Sequence, residues 1–300
     1  MALEINMTFN FIKYKKIYYI FTGILIVASA MSFFLFGLKP GIDFTGGSIL
    51  EVDYMDQRPS NQEIRQKISD SDLGEFSVQP TGEKGVILRM KNIDENVRQE
   101  IILKLGNVTE KRFESIGPSV GMELKSKTAK VIALSLLAMV LYIIFAFRKV
   151  SFPVKSWRYG MATFFILFHD ILIPLGVFSV LGKLYGVQIT IPIIVALLTV
   201  LGYAINNVVV VFDRIRENLS KRLSVSFEDV VNNAIKQTII RQLNTSLTTL
   251  FPLAFIYLLG GETLKYFALA LMLGLLAGLY SSIFLAGPVL VSWLGNRKKA

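Results

Sequence analysis

Residues 201–218 read LGYAINNVVVVFDRIREN, a sequence suited to lipid at its start and to water at its end. Two adjacent amides, Asn206 and Asn207, interrupt the apolar half, and polar groups inside a bilayer are costly enough to be functional candidates by default. Four charged side chains close the segment: Asp213, Arg214, Arg216 and Glu217. The segment therefore predicts a membrane-spanning helix that carries an amide pair and ends at a charged mouth.

The composition extends this prediction to the whole chain. Of 300 residues, 53% are hydrophobic and only 18% are charged, with a mean hydropathy of +0.53. An average soluble domain has about 25% charged residues. Residues 39–127 hold 13 Lys+Arg and 15 Asp+Glu, whereas the other residues together hold 19 and 7. This distribution predicts one polar domain inserted into a membrane protein with basic flanks.

Residue content also excludes several classes of function. The chain has no cysteine, which excludes disulfides, thiolate metal sites and cysteine catalysis. Its one histidine, His169, leaves little scope for a histidine-rich metal site. The basic residues lie in short loops between apolar runs, so nucleic acid is not an expected partner. No metal and no cofactor are predicted.

Six charge-poor stretches are long enough, or nearly so, to cross a bilayer, which requires about 20 apolar residues of helix. They are residues 17–38, 131–147, 159–182, 184–212, 242–261 and 266–296. The first resembles a signal peptide at its start, but its apolar run continues through Phe36 and predicts an uncleaved anchor. The predicted division is an N-terminal segment 1–16, a first helix 17–38, an external domain 39–126, a five-helix region 127–296 and a basic tail 297–300.

Positive charge in the short loops predicts the orientation. Lys and Arg cluster in the N-terminal segment, in the loops after the second and fourth helices and in the C-terminal tail. The short loops on the opposite side carry only Lys183 and Lys265. Both termini are therefore expected in the cytoplasm, with the polar domain outside.

The polar insert has the alternation and the capping signals of a small α+β domain. Residues 48–54 alternate between apolar and acidic side chains, Ser60 and Glu63 are spaced as a capping box, and Asp94 begins a second helix. Further strands are predicted at 75–79, 85–90 and 108–114. The order β-α-β-β-α-β predicts a ferredoxin-like sandwich between the first two membrane helices. Its core is small, which suits contact better than catalysis.

A glycine-rich junction, GIDFTGG at residues 41–47, precedes this domain. A phosphate-binding loop would need a following Lys-Ser/Thr pair and a helix, whereas a strand follows here. We therefore interpret the segment, including Asp43, Gly46 and Gly47, as a flexible junction in which glycine permits a turn.

Polar side chains in the third and fourth helices are candidates for an ion path. Asp170 and the neighbouring His169 lie near the centre of the third helix, where an ion-path role or a packing hydrogen bond would explain them. Asn206 and Asn207 project about 100° apart and admit the same two explanations.

The fifth and sixth helices add a polar stripe and a small-residue motif. Arg241, Thr245 and Thr248 share one face, together with Asn244. Either they form a buried polar seam, or the arginine is interfacial and the hydroxyls bond to their own helix. Glycines at 274 and 278 predict close packing of the sixth helix on a neighbour. The charged mouth of the fourth helix is spaced for exposed ion pairs between residues three apart.

Six strings, in order along nearly the whole chain, resemble the motifs of a known family. They are GIDFTGGSILEV at 41–52, ESIGPSVGMEL at 114–124, FHDILIPLG at 168–176, GYAINNVVVVFDRIREN at 202–218, RQLNTSLTTL at 241–250 and LYSSIFLAGP at 279–288. On these motifs the chain is identified as a member of the SecF family of bacterial protein-export membrane proteins, within the resistance-nodulation-division superfamily.

The resemblance implies a function and its partners. It implies a non-enzymatic accessory subunit in the bacterial inner membrane, acting with a SecD-like subunit beside a SecYEG-type protein-conducting channel. The external domain would help to draw an unfolded, translocating polypeptide outward, driven by inward proton or sodium flow.

One motif departs from the family pattern, in which the fourth helix usually reads Gly-Tyr-Ser-x-Asn-Asp-Thr-Val-Val. Ala204, Asn207 and Val208 replace the serine, the aspartate and the threonine, whereas Arg241 matches the fifth-helix arginine. The family aspartate is thought to act with that arginine in ion transfer. Either the partner subunit holds the titrating acid, or Asp170 substitutes for it, or coupling is weak. We favour the first reading, because a two-subunit bundle can keep one carboxylate and lose the other.

Two other classes of function are weighed against this one. An exporter of small molecules or lipids from the same superfamily would have a second six-helix half and larger external domains. An intramembrane enzyme would need paired aspartates or a serine with a placed base. Only Asp170 lies deep in a predicted helix, and no base is predicted beside Ser281.

Overall fold

The computed structural model describes residues 9–148, 154–221 and 226–295. The predicted basic tail 297–300, the last residue of the sixth predicted helix and residues 1–8 of the N-terminal segment lie outside these ranges. The chain divides into two compact units. One unit comprises Met1–Leu38, Ile132–Val187 and Pro192–Ala300, and the other comprises Lys39–Val131 and Gln188–Ile191.

The four strands all lie between the first long helix and the second, and long helices follow them along the chain. In chain order they are α1 (Lys15–Phe36), α2 (Ile42–Thr45), β1 (Gly47–Tyr54), α3 (Asn61–Ile68), β2 (Ser77–Thr81), β3 (Gly85–Met90), α4 (Glu95–Leu105), β4 (Val108–Ile116), α5 (Pro118–Ala146), α6 (Ser156–Tyr185), α7 (Ile191–Ser220), α8 (Phe227–Leu259), α9 (Glu262–Phe284) and α10 (Ala286–Gly295).

Six helical segments in the described residues are long and apolar enough to cross a membrane. Five are α1, α5, α6, α7 and α8, and the sixth is Leu264–Trp293, which combines most of α9 and α10. The predicted membrane-helical fold with six spans is therefore confirmed. The helices α5 and α8 begin at Pro118 and Phe227, well before their apolar runs, and their first turns contain several polar and charged residues.

Further helix boundaries differ from the prediction. The sequence predicts a fourth helix from residue 184, but α6 continues to Tyr185, and Gly186 ends it in a left-handed conformation with φ 70°. The fourth helix, α7, starts only at Ile191. The sixth helix breaks at Leu285, because Pro288 has no N–H and its ring would clash with the carbonyl of Phe284.

Glycines and serines bring α1 and α6 into close contact. A Cβ on Gly176 would lie 2.5 Å from Ser29 Cβ and 2.6 Å from Ser29 Cα. The hydroxyl of Ser32 donates to Gly176 O at 2.9 Å, and that of Ser179 donates to Ser32 O at 2.8 Å and to Gly37 O at 2.7 Å. Helices in lipid associate through such small residues and hydroxyl bonds, because no hydrophobic effect drives them together.

The predicted packing motif of the sixth helix lies against α7. A Cβ on Gly274 would lie 2.5 Å from both methyls of Val200, and one on Gly278 would lie 3.3 Å from Ala204 Cβ. The prediction that this glycine pair permits close packing is confirmed.

The small unit contains the predicted ferredoxin-like fold. Its four strands form an antiparallel sheet in the order β2-β3-β1-β4, with Leu50 opposite Leu88 and Val52 opposite Val86. These four side chains are fully buried together with Ile64 of α3 and Ile101 of α4. The sheet and both helices thus share one core, and the order of the elements is the predicted β-α-β-β-α-β.

Both predicted helix caps are present in this unit. Ser60 Oγ accepts from Glu63 N, and the Ser60 N–H returns a bond to Glu63 Oε2 at 2.8 Å. These donors, the backbone N–H first and the hydroxyl second, lower the pKa of the Glu63 carboxyl. Asp94 Oδ1 accepts from Val97 N at 3.0 Å and starts α4.

Candidate functional site

The deepest charged group of the helical unit is Asp170 on α6. Its carboxylate is fully buried, accepts a bond from Ser281 Oγ of α9 at 2.9 Å and lies 2.8 Å from Nδ1 of His169. Gly278 of α9 lies beside this group, and a Cβ there would be at an ordinary contact distance of 3.6 Å from Asp170 Oδ2. The carboxylate is thus held by two partners from two helices.

His169 completes this cluster and leaves one ring nitrogen unused. The side chain is 1% exposed, and Nε2 has no hydrogen-bond partner among the described residues. The ring of Tyr280 stacks on it with centroids 6.0 Å apart, and the Tyr280 hydroxyl bonds to Thr22 of α1 at 3.1 Å. A carboxylate, an imidazole and hydroxyls buried together can bind and release a proton.

The two amides of α7 face different environments. Asn207 is 4% exposed and lies one turn beyond Ala204, which packs at Gly278. Asn206, about 100° further round the helix, is exposed in one stripe with Thr199 and Gly202. A Cβ added at Gly202 would meet no atom within 4 Å, so the stripe is open in this chain.

The polar residues of α8 are exposed as well. Arg241, Asn244 and Thr248 face outward from this chain, and no carboxylate of the described residues pairs with the arginine. The Thr245 hydroxyl donates to Arg241 O at 2.8 Å, and that of Thr248 donates to Asn244 O at 3.0 Å. Within this chain, therefore, these residues form an outward stripe and not a buried seam, because the hydroxyls bond to their own helix.

A buried polar seam exists on the other side of α8, where the sequence did not predict one. Gln242 is 2% exposed, donates to Thr238 Oγ1 at 3.3 Å and accepts from Ser282 Oγ of α9 at 2.5 Å. Ser246, also buried, follows one turn later. The spacing of four residues from 238 to 242 to 246 is a signal for this seam, because such residues share a helix face.

The candidate groups on three helices lie at similar depth. Asp170 is 15 residues from the end of α6, about 22 Å along its axis, and Asn207 is 16 residues from the start of α7, about 24 Å. Arg241 is 18 residues from the end of α8, about 27 Å. Counted along the helix axes, the three groups therefore lie at similar distances from these helix ends, about 22–27 Å.

The charged mouth of α7 forms the predicted ion pairs. Arg214 Nη1 lies 2.6 Å from Glu217 Oε2, and Arg216 pairs with Asp213. Lys221 adds a third pair to Glu217 at 2.5 Å. These side chains are about half exposed, so solvent screens the pairs and each contributes little to stability.

The glycine-rich junction is ordered into a short helix, α2, which the sequence did not predict. Gly46 and Gly47 have φ values of 74° and 132°, so glycine does permit the turn there. Asp43 Oδ2 accepts a bond from the N–H of Ile191 at 2.8 Å. This contact joins the junction to the first residue of α7.

Comparisons with known proteins agree with this architecture. The family model for "Protein export membrane protein SecD/SecF, C-terminal" matches residues 97–296, and that for the "SecD/SecF GG Motif" matches residues 32–54. The crystal structure of SecDF from Thermus thermophilus, described as a translocon-associated membrane protein, superposes with a TM-score of 0.84 at 31% identity. The match covers 98% of this chain and 39% of that chain. The class is therefore a multi-pass membrane protein of the protein-export type.

Individual relatives define the family more narrowly. The "Protein translocase subunit SecF" of Thermobaculum terrenum is 39% identical, over 95% of this chain and 93% of its own length. The subunits of the same name from Anaerolinea thermophila and Vibrio alginolyticus are 35% and 36% identical, over 95% and 99% of this chain and 94% and 93% of their own lengths. This chain belongs to the SecF family of protein translocase subunits. It is an accessory component of the Sec pathway in the bacterial inner membrane and not an enzyme.

Proposed function

We propose that this chain acts with a SecD-like subunit, beside a SecYEG-type channel, to promote the export of unfolded polypeptides at the expense of a transmembrane ion gradient. The second crystal structure of SecDF that resembles it, in the super-membrane-facing form, matches all of this chain and 40% of its own, with a TM-score of 0.71 at 30% identity. More than half of such a chain therefore lies outside the match.

The observation that carries this proposal is the pair of outward polar stripes on α7 and α8. Arg241 is a full charge on the exposed face of a membrane helix, and Asn206 lies at a similar depth on the neighbouring helix in sequence. Such groups almost always face a bundle interior, a water-filled cavity or a partner, because lipid cannot solvate them. The two stripes therefore form the surface that a SecD-like subunit covers.

The titrating acid of the ion path is assigned to that partner. Asn207 cannot carry a proton, but its amide can orient water or a carboxylate. A partner carboxylate opposite Arg241 would complete an ion pair inside the membrane. Asp170 and His169 are a second proton-binding group within this chain, buried on another face of the bundle.

The orientation follows from the same proposal. The unit with the sheet, predicted as the external domain 39–126, faces the exterior and meets the emerging polypeptide. The charged mouth at Asp213, Arg214, Arg216 and Glu217 is at the cytoplasmic side, as are both termini.

The experiment that tests the proposal compares Arg241→Met with Lys236→Met, a matched loss of one positive charge on the same helix. Removing one partner of a buried ion pair costs about 3–5 kcal/mol. We therefore expect Arg241→Met to weaken association with the SecD-like subunit, or to reduce the stimulation of export by the ion gradient, by about a hundredfold or more. Lys236→Met should stay near the wild type in both measurements. Wild-type export by an inserted Arg241→Met variant would contradict the proposal.

A further inference from the structure

The junction that precedes the sheet is bound to the chain just before α7 by three hydrogen bonds. The N–H of Ile189 donates to Lys39 O at 2.7 Å, and the N–H of Gly41 donates to Ile189 O at 2.7 Å. Pro40 and Ile189 thus form a parallel bridge although they are far apart in sequence. The third bond is that of Asp43 Oδ2 with the N–H of Ile191 at 2.8 Å.

The third bond is a helix cap supplied from a distance. Ile191 is the first residue of α7, and the first N–H groups of a helix have no partner within it. A carboxylate there satisfies a donor and also interacts favourably with the helix dipole. Most caps come from the residue that precedes the helix, whereas this one comes from residue 43, on the other side of the sheet-bearing domain in the chain.

A side chain at the glycines of the junction would lie too close to neighbouring atoms. A Cβ on Gly41 would lie 2.9 Å from Ile189 O, and one on Gly46 would lie 2.8 Å from Pro118 Cα. A Cβ on Gly47 would lie 2.8 Å from Met90 O of β3. The same seven residues therefore pack closely against the start of α5, the sheet and the segment that leads into α7.

We propose that Asp43 is a positioning residue, which caps α7 from the junction and so keeps the first turn of that helix formed. This inference rests on the proposed function, because α7 carries Asn206 and Asn207 toward the ion path. When the cap is intact, the first N–H group of α7 is bonded to the junction. Without it, the first turn of α7 frays, and Asn206 on the outward stripe is held less firmly against the partner.

The test uses the full chain with its SecD-like partner and three single variants. Asp43→Ala removes the acceptor, Asp43→Asn keeps an oxygen that can accept from Ile191 N, and Thr45→Ala is the control. Thr45 is exposed and its hydroxyl bonds only to Gly41 O and Gly46 O within the junction. Loss of a helix cap shifts an equilibrium about fivefold, and we expect a loss of export stimulation of that size in Asp43→Ala.

A cross-link distinguishes a positional role of Asp43 from a role of its charge. The charge of Asp43 also contributes to raising the pKa of Arg112 in β4. Since the chain has no cysteine, Pro40→Cys with Ile189→Cys gives a unique pair. Paired strands lie about 4.8 Å apart, within the roughly 4.4–6.8 Å that a disulfide spans. In the Asp43→Ala background, oxidation of this pair is expected to restore export, and reduction to abolish the rescue.

The outcomes separate this inference from the proposed function. Activity of Asp43→Asn near the wild type, with rescue of Asp43→Ala by the cross-link, supports the positioning role. Wild-type export by Asp43→Ala, or an inserted Asp43→Asn as defective as Asp43→Ala, overturns it while Arg241→Met still reports on the ion path. If Arg241→Met were also normal, the proposed function itself would fail.

Discussion

The contact between α1 and α6 predicts that Gly176→Ala destabilises the helical unit. The added Cβ would lie 2.5 Å from Ser29 Cβ and 2.6 Å from Ser29 Cα, whereas carbon atoms at optimal contact are about 3.5–4.0 Å apart. The nearest atoms include backbone, which no rotamer change can move. The two helices must therefore separate by about 1 Å at this point.

The magnitude follows from the strain and from the bonds that separation weakens. Overpacking costs about 1–3 kcal/mol. The three hydroxyl bonds from Ser32 and Ser179 lie within one turn of Gly176, and interhelical bonds in membranes average about 0.6 kcal/mol each. We expect a total loss of about 2–4 kcal/mol, which lowers the melting temperature by about 5–15 °C.

The assay is reversible unfolding of the purified protein in mixed micelles, supported by its melting temperature. Gly23→Ala is the matched control, because Gly23 is in α1 and its Cβ would meet no atom within 4 Å. That control should stay within about 1 kcal/mol of the wild type, on the stabilising side. A Gly176→Ala variant within about 0.5 kcal/mol of the wild type would refute the reasoning.

Two further predictions concern the partner surface and the sheet-bearing domain. Gly202→Leu meets no neighbour within this chain, so it should leave the stability of the isolated chain unchanged or raise it by up to about 1 kcal/mol. Copurification with the SecD-like subunit should fall at least tenfold, and unchanged copurification would show that this stripe is not the interface. The pKa of the Glu63 carboxyl is below its ordinary value of 4.5, so its cap stabilises α3 fully at a pH above 4.5. This stabilisation is lost as the pH falls through the lowered pKa. Amide hydrogen exchange of α3, measured against pH, should show this loss in the wild type but not in the Glu63→Gln variant.

The local features of the fold could be predicted from the sequence. The capping residues Ser60 and Asp94, the alternation of β1 and the apolar lengths of the spans depend on neighbours within a few residues. The break at Leu285 was also visible in principle, because Pro288 marks it. The early start of α8 was not, since its first turns have no apolar run to mark them.

The contacts of the candidate site could not be predicted from the sequence, because they depend on how the helices pack together. Asn206 and Asn207 differ by only about 100° of helix rotation, and only the packing around α7 decides that Asn207 is the buried one. The partner of Asp170 on α9 and the contact from Asp43 to Ile191 join residues more than 100 positions apart. No pattern of spacing within the sequence identifies such pairs.

The pairing of α1 with α6 also constrains how the chain is made. The bonds from Ser32 to Gly176 and from Ser179 to Ser32 join residues 144 and 147 positions apart. At about 5–20 residues per second, a ribosome needs about 7–30 s to synthesise the intervening chain. During that time α1 is in the bilayer without the helix that it packs against. Biogenesis of this protein therefore includes a waiting period, in which the insertion machinery or lipid must hold its first helix.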